Sequence, residues 1–281
     1  TYMVYDPILL SNDIEKYVIY MKDSKILRKY YKFRATKFYG GSATGDVVGC
    51  NLRCKFCWSW HLNTPSALKN IGFYIDSENA ALKLLNIAFE KGFRYIRLSG
   101  GEPSIGFEHV FQLLKKIQDL GYSNKITFIL ETNGILIGYK KDYAIDLSNY
   151  PFIITRVSIK GCSSEEFEAI TGADKKFYNY QIEAVKHLIE NNIAVSIAIT
   201  VSFCKKSSLS RLIEQLIRID ENIIDRIELE VVKLYPDVTK RLCKANLFPW
   251  IAIDLKNNAI LKGDDIEQKC RENSNRNLIK K

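Results

Sequence analysis

The chain contains no run of about 18 consecutive apolar residues, so no membrane-spanning helix is expected from it. Its first residues, Thr1 to Asp13, lack a basic start followed by an apolar stretch and a small-residue cleavage site. The expected setting is therefore the cytoplasm. Internal repeats are absent. An even, disulfide-style set of cysteines is absent too: there are seven, and three of them crowd into the eight residues from Cys50 to Cys57. In a chain without a signal peptide that crowding reads as metal binding in a reducing compartment. What the chain does have is 281 residues with 47% apolar content, enough for one sizeable core and one catalytic domain. Its net charge of +9 and pI near 9.0 suit an acidic partner such as RNA, and equally an ordinary lysine-rich solubilising surface.

Short β-rich runs alternate with helical patterns from about residue 44 to 235, the pattern of βα units around a parallel sheet. The expected strands are Thr44 to Val48, Tyr95 to Ser99, Ile126 to Glu131, Ile153 to Ile159, Ile193 to Val201 and Ile227 to Leu234. Between them, a helix from Ser77 to Lys91 stops at Gly92, and one from Phe107 to Leu120 stops at Gly121. Ser163 with Glu166 forms a capping box, and further helices cover Tyr178 to Glu190 and Ser208 to Ile219. Strand alternation puts Ile154, Arg156, Ser158 and Lys160 on one face and Thr155, Val157 and Ile159 on the other, against the helices. The same test groups Glu131 with Asn133, then Ser196, Ala198 and Thr200, then Glu228 with Glu230. Polar interior faces of this kind suit a site, because buried charges need partners or a ligand.

The segment from Gly49 to Cys57 has C-x3-C-x2-C spacing directly after the first of these strands. Three thiolates can hold three irons of a cubane and leave the fourth open. An open iron can chelate the amino and carboxylate groups of a small molecule and deliver an electron to a sulfonium nearby. Three more features follow in order: Phe56 before the third cysteine, Gly100-Gly101-Glu102-Pro103 after the second strand, and Glu131-Thr132-Asn133-Gly134 after the third.

On these residues the chain resembles the radical S-adenosylmethionine (SAM) superfamily over roughly residues 44 to 235. Ser99 to Pro103, Thr132-Asn133-Gly134 and Val157-Ser158-Ile159-Lys160 resemble its glycyl-radical-enzyme activating group in particular. The resemblance implies an α/β fold, a partial (β/α)6 TIM-like barrel of the radical SAM type, with the site at the C-terminal ends of the strands. It implies a [4Fe-4S] cluster on Cys50, Cys54 and Cys57, and SAM cleaved reductively to a 5′-deoxyadenosyl radical. It also implies an external electron donor, flavodoxin-like or ferredoxin-like. Phe56, Gly100, Gly101, Glu102, Glu131, Asn133, Ser158, Lys160 and Thr200 are the expected SAM contacts. Lys160 is expected to pair with the SAM carboxylate. Ser158 stands where the activating group has an acid, so the ribose contact expected there is not carried over. Glu131 has a second reading, as half of an ion pair with Arg156 or Lys160.

Other readings stand beside these. With His61, the three cysteines make a Cys3His zinc set, and with the basic arm such a loop gives a non-catalytic, metal-stabilised RNA-binding protein. Cys162 and Cys204 follow strands near the barrel mouth, where they can donate a hydrogen atom, bind a second cluster with Cys243 and Cys270, or merely pack as small apolar residues. The arm from Arg28 to Tyr39 interleaves Arg28, Lys29, Lys32, Arg34 and Lys37 with Tyr30, Tyr31, Phe33, Phe38 and Tyr39. It is read either as a single-stranded RNA surface or as an amphipathic segment packed on the barrel. The expected substrate is a macromolecule, a protein or a tRNA. Trp58 after Cys57 is similar to the tRNA wybutosine-forming radical enzyme, although that family's extra cysteines before the SAM motif are missing here. The expected organisation is an arm over 1–43, the barrel over 44–238, and a polar basic extension over 239–281 that frays through Arg271 to Asn277.

Overall fold

The computed structural model describes residues 4–268, 270 and 271. Its strands in chain order are β1 Ile19–Lys22, β2 Lys25–Thr36, β3 Ser42–Val47, β4 Phe73–Asp76, β5 Tyr95–Gly100 and β6 Thr127–Thr132. They continue with β7 Ile153–Lys160, β8 Ala194–Thr200, β9 Ile227–Glu230, β10 Val232–Lys233, β11 Ile251–Asp254 and β12 Ala259–Lys262. The main sheet runs β1-β2-β3-β5-β6-β7-β8-β9, with β4 beside β2. From β3 to β9 every pairing along this path is parallel, and β1, β2 and β4 extend the β3 edge antiparallel. Six parallel strands with helical crossovers are the expected partial (β/α)6 barrel.

Local chemistry fixes the crossovers. Asp76 caps the helix Ser77–Lys91 by accepting from Asn79 N at 3.0 Å, and Gly92 closes it with φ 68°. Ser163 Oγ accepts from Glu166 N at 3.3 Å to start Ser164–Thr171. The Glu166 carboxylate does not complete a capping box: it accepts from Cys162 N (2.8 Å), Lys205 N (2.9 Å) and Ser208 Oγ (2.6 Å). Along β7, Ile153, Thr155, Val157 and Ile159 are buried while Ile154, Arg156, Ser158 and Lys160 are only half-buried. The buried row packs in one core with Leu84, Leu113, Val185, Leu188 and Leu212 of the surrounding helices. Burying each such side chain contributes about 1.5–3 kcal/mol.

The first 43 residues are not a separate arm. Pro7–Val18 is a helix, and β2 pairs with β3 from Thr36↔Ser42 to Tyr30↔Val47, so a boundary at 43 cuts through a strand. The sixth expected strand, Ile227 to Leu234, ends at Glu230, and β10 joins β11 and β12 in a second sheet. A boundary at 238 likewise cuts the helix Pro236–Lys244. The extension folds because Leu242, Ala252 and Ile266 share a small core with Val232, Leu234 and Val238, against which Phe56 and Phe203 of the barrel also pack. Beyond Arg271, the Asn-rich run to Asn277 lies outside the described residues.

Candidate active site at the strand ends

The cysteine loop leaves the C-terminal end of β3 and is fastened from four sides. Gly49 N donates to Leu62 O at 3.1 Å, and Lys55 N to Ile170 O at 2.9 Å. Arg53 N donates to the Tyr5 hydroxyl at 2.7 Å, while Arg241, from the helix Pro236–Lys244, donates to Lys55 O at 3.3 Å and also to Cys57 O. The glycine turn after β5 is zipped against the start of this loop: Gly101 N donates to Val47 O (2.8 Å) and Glu102 N to Gly49 O (2.7 Å). A Cβ on Gly101 would lie 2.2 Å from the Gly49 carbonyl oxygen, so only glycine allows this approach.

The buried Glu102 carboxylate latches the two turns together. Oε1 accepts from Ser104 N (3.1 Å), Ser104 Oγ (2.7 Å) and Thr132 Oγ1 (2.7 Å), and Oε2 accepts from Asn133 N (2.8 Å). Asn133 Nδ2 donates to Asn51 Oδ1 at 2.7 Å and lies 3.9 Å from Cys50 Sγ. Cysteine loop, glycine turn and Asn133 turn thus form one rigid frame.

Lys160, at the end of β7, is held by Gln181 Oε1, which accepts from its backbone N at 2.8 Å. Its ammonium donates to Ser158 Oγ and lies 5.8 Å from the centre of the Phe56 ring. Phe56 in turn packs against Phe203 at 5.5 Å. The structure therefore joins Cys50 with Asn133, Gly101 and Glu102, and Lys160 with Ser158 and Phe56. Thr200 is 2% exposed, and its Oγ1 makes no hydrogen bond among the described residues. Glu131 sits apart, accepting from Ser99 Oγ (2.7 Å), Tyr39 Oη (3.0 Å) and Arg97 Nη1 (3.4 Å). Its ion pair is with Arg97, not with Arg156 or Lys160 as expected. Arg156 pairs instead with Glu228 (2.7 Å) and Glu230 (2.8 Å), because β9 presents both acids along the same inward row. Burial would raise the Glu230 carboxyl, but Lys160 and Arg156 outweigh it and hold it low.

Cys50, Cys54 and Cys57 are the unpaired cysteines. Burial pushes the Cys50 thiol up, with Glu102 adding to the shift. Burial pushes Cys54 up to about 12, against the pull of Lys160. Thiols in such surroundings stay neutral unless a cation displaces the proton, which iron does on binding. Zinc does not fit. A tetrahedral ion holds its donors at about 2.0–2.3 Å, yet among the described residues these cysteines and His61 do not bring three donor atoms within 4.8 Å of one another. His61 instead meets the Tyr31 ring edge-on at 5.5 Å.

The four later cysteines are joined as Cys162–Cys204 and Cys243–Cys270, which replaces the second-cluster and hydrogen-donor readings. Cys162 and Cys204 follow β7 and β8, which pair to their ends at Lys160↔Thr200; the Cα atoms are 5.5 Å apart. The basic arm is divided: Lys32 and Lys37 are exposed beside the exposed rings of Tyr31, Phe38 and Tyr39. Arg28 and Lys29 are buried, Lys29 Nζ donates to Leu68 O at 2.7 Å, and Arg34 pairs with Asp46 at 2.6 Å. Sequence reasoning missed Asn51, Gln181 and Ser59, whose Oγ donates to Gly100 O at 2.6 Å. It missed Arg241 as well, and nothing in the sequence could place that residue against a loop 184 positions away.

Unpaired cysteines at the carboxyl ends of a parallel partial barrel, backed by a glycine cradle, define an iron-sulfur enzyme that holds a small ligand at its cluster. A family model described as the Radical SAM superfamily matches residues 46–207. The chain belongs to the Radical SAM superfamily, whose members use a [4Fe-4S] cluster and SAM. It is 28% identical over 186 residues to a "Probable GTP 3′,8-cyclase" of Saccharolobus islandicus (strain M.14.25 / Kamchatka #1), covering 66% of this chain and 55% of that protein. It is 29% identical over 151 residues to the cysteine-type anaerobic sulfatase-maturating enzyme of Clostridium perfringens, covering 48% and 40% respectively. The chain thus spans about half the length of the curated relatives it matches. Its fold is similar to SuiB of Streptococcus suis, solved with SAM (TM-score 0.52, 21% identity, 71% of this chain and 44% of that one). The same protein solved with its precursor peptide SuiA gives TM-score 0.51 at 23% identity, covering 69% and 39%. Among the described residues no helix is long and apolar enough to cross a membrane.

Proposed function

We propose that this enzyme cleaves SAM reductively and directs the resulting radical at a protein or peptide substrate. The observation that carries the first half is the frame in which the three unpaired cysteines, the glycine turn and Asn133 are locked by the Glu102 latch. A [4Fe-4S] cluster bound there with one open iron would supply the one electron that splits the sulfonium of SAM into methionine and a 5′-deoxyadenosyl radical. Cys50, Cys54 and Cys57 hold the irons. Gly100 and Gly101 let the ligand approach the backbone, Lys160 binds its carboxylate, and Thr200 Oγ1 offers a buried hydrogen bond. Phe56 and Phe203 keep the loop dry. An external one-electron donor of the flavodoxin or ferredoxin kind completes the reaction.

A protein substrate is favoured over RNA because Arg28, Lys29 and Arg34 of the basic arm are engaged inside the fold. The sulfatase-maturating relative is named for a protein, and SuiB was solved with a peptide. The Saccharolobus relative is named for a nucleotide. The test is substitution with product analysis. Cys50→Ala, Cys54→Ala and Cys57→Ala should each abolish reductive SAM cleavage, whereas Cys243→Ala should leave it intact. Tight, saturable uptake of GTP or another small metabolite that protects SAM from futile cleavage would overturn the protein reading.

A further inference from the structure

A cleft of about 470 Å³ opens beside the cluster loop, outside the frame described above. One wall is the end of the helix Ser164–Thr171, where the Ile170 and Ala169 carbonyls accept from the backbone N and ammonium of Lys55. Another is Phe203, whose ring packs on Phe56. The cleft therefore abuts the segment between Cys54 and Cys57. Its third wall comes from Leu247, Phe248 and Trp250 of the C-terminal extension. Trp250 N donates to Ser202 O at 2.9 Å and its indole Nε1 to Val201 O at 2.8 Å, yet the residue is 51% exposed. An indole pinned at its polar edge with half its surface open is arranged for contact, in the manner of interface anchors.

The free charge of the cleft has one sign. The Glu166 carboxylate is occupied by Cys162 N, Lys205 N and Ser208 Oγ. Lys205 and Lys206 are exposed, and among the described residues no carboxylate lies within ion-pair distance of either ammonium. The aromatic faces of Phe203, Phe248 and Trp250 could stack bases, but a single nucleic-acid strand also needs a row of cations along its backbone, and the cleft offers only the adjacent pair Lys205 and Lys206. We propose that this cleft docks a polypeptide segment in which acidic residues flank apolar or aromatic ones, delivering the substrate to the cluster. The inference rests on the protein-substrate reading above.

Three probes test it on the full chain with its cluster reconstituted under anaerobic conditions: a short fluorescein-labelled peptide alternating Glu with Phe and Leu, the same peptide with Lys in place of Glu, and a labelled oligouridylate. Anisotropy should show saturable binding of the acidic peptide alone. The double variant Lys205→Glu/Lys206→Glu, and separately Phe248→Ser, should each weaken that binding roughly tenfold or more, with iron content and substrate-free SAM cleavage unchanged. Equal binding of the Lys peptide, or binding that neither variant alters, would overturn the proposal. Binding of the oligouridylate alone would assign the cleft to RNA and overturn it too. SAM cleavage without cleft-dependent peptide binding sinks the docking site and spares the radical reading; cleft-dependent peptide binding without SAM cleavage does the reverse.

Discussion

At the scale of single residues, Lys160 has the most exposed role. Its ammonium lies over Phe56 and works against the burial that raises the Cys54 thiol. Lys160→Ala is expected to weaken SAM binding about ten- to a hundredfold, the usual effect of losing a charged hydrogen bond of about 1.5–3 kcal/mol, with iron content unchanged. Equilibrium binding checks this, and unchanged affinity would place Lys160 outside the site. His109 sets a pH dependence. It is buried, with Nδ1 donating to Ile26 O at 3.2 Å and Nε2 accepting from the Tyr30 hydroxyl at 3.1 Å. Burial lowers it to about 4, so between about pH 6.5 and 4 the unfolded chain takes up a proton that the folded chain refuses. The stability contributed is complete above pH 6.5 and falls by on the order of 3 kcal/mol across that window. Urea unfolding of wild type and His109→Gln at pH 7 and near pH 4.5 should show the variant losing less. Parallel losses would contradict it.

At the scale of elements, the strand ends and turns were the legible part. Alternation in Ile153 to Lys160 gives the inward row of β7 correctly, because a period of two leaves little freedom once one face is apolar. The helix ends at Gly92 and Ser163 were readable because caps are local. Partners were not. Register sets Glu131 beside Arg156, as the ion-pair reading expects, yet Arg156 turns to Glu228 and Glu230 and Arg97 of β5 takes Glu131, a choice between competing partners that pattern does not encode. The joining of Cys162 to Cys204 depends on the same register. The glycine turn offers the sharpest element-scale prediction. Gly101→Ala places a methyl against the Gly49 carbonyl, so the turn and cysteine loop must separate. Reconstituted iron should fall well below wild type while the far-UV circular dichroism stays the same. Full iron loading would show that the turn can shift freely.

At the scale of the whole molecule, the partial barrel was legible because six β-rich runs with helical crossovers admit few topologies. The C-terminal sheet was not: the run Leu247 to Leu255 is apolar enough for a strand, but nothing local shows that it leaves the barrel and pairs parallel to Val232–Lys233. With seven cysteines, four of them paired, denatured and iron-free protein should expose three reactive thiols before reduction and seven after it. A thiol count with Ellman's reagent decides, and seven thiols before reduction would remove both disulfides.

The central claim is that Cys50, Cys54 and Cys57 hold a cluster with one open iron that works on SAM. Anaerobic reconstitution followed by dithionite and SAM tests it most directly, with iron, sulfide and 5′-deoxyadenosine measured on one sample. A brown protein with about four iron and four sulfide per chain, releasing 5′-deoxyadenosine only when both dithionite and SAM are present, is the expected result. A colourless protein holding one zinc, or an intact cluster that leaves SAM uncut, would contradict it.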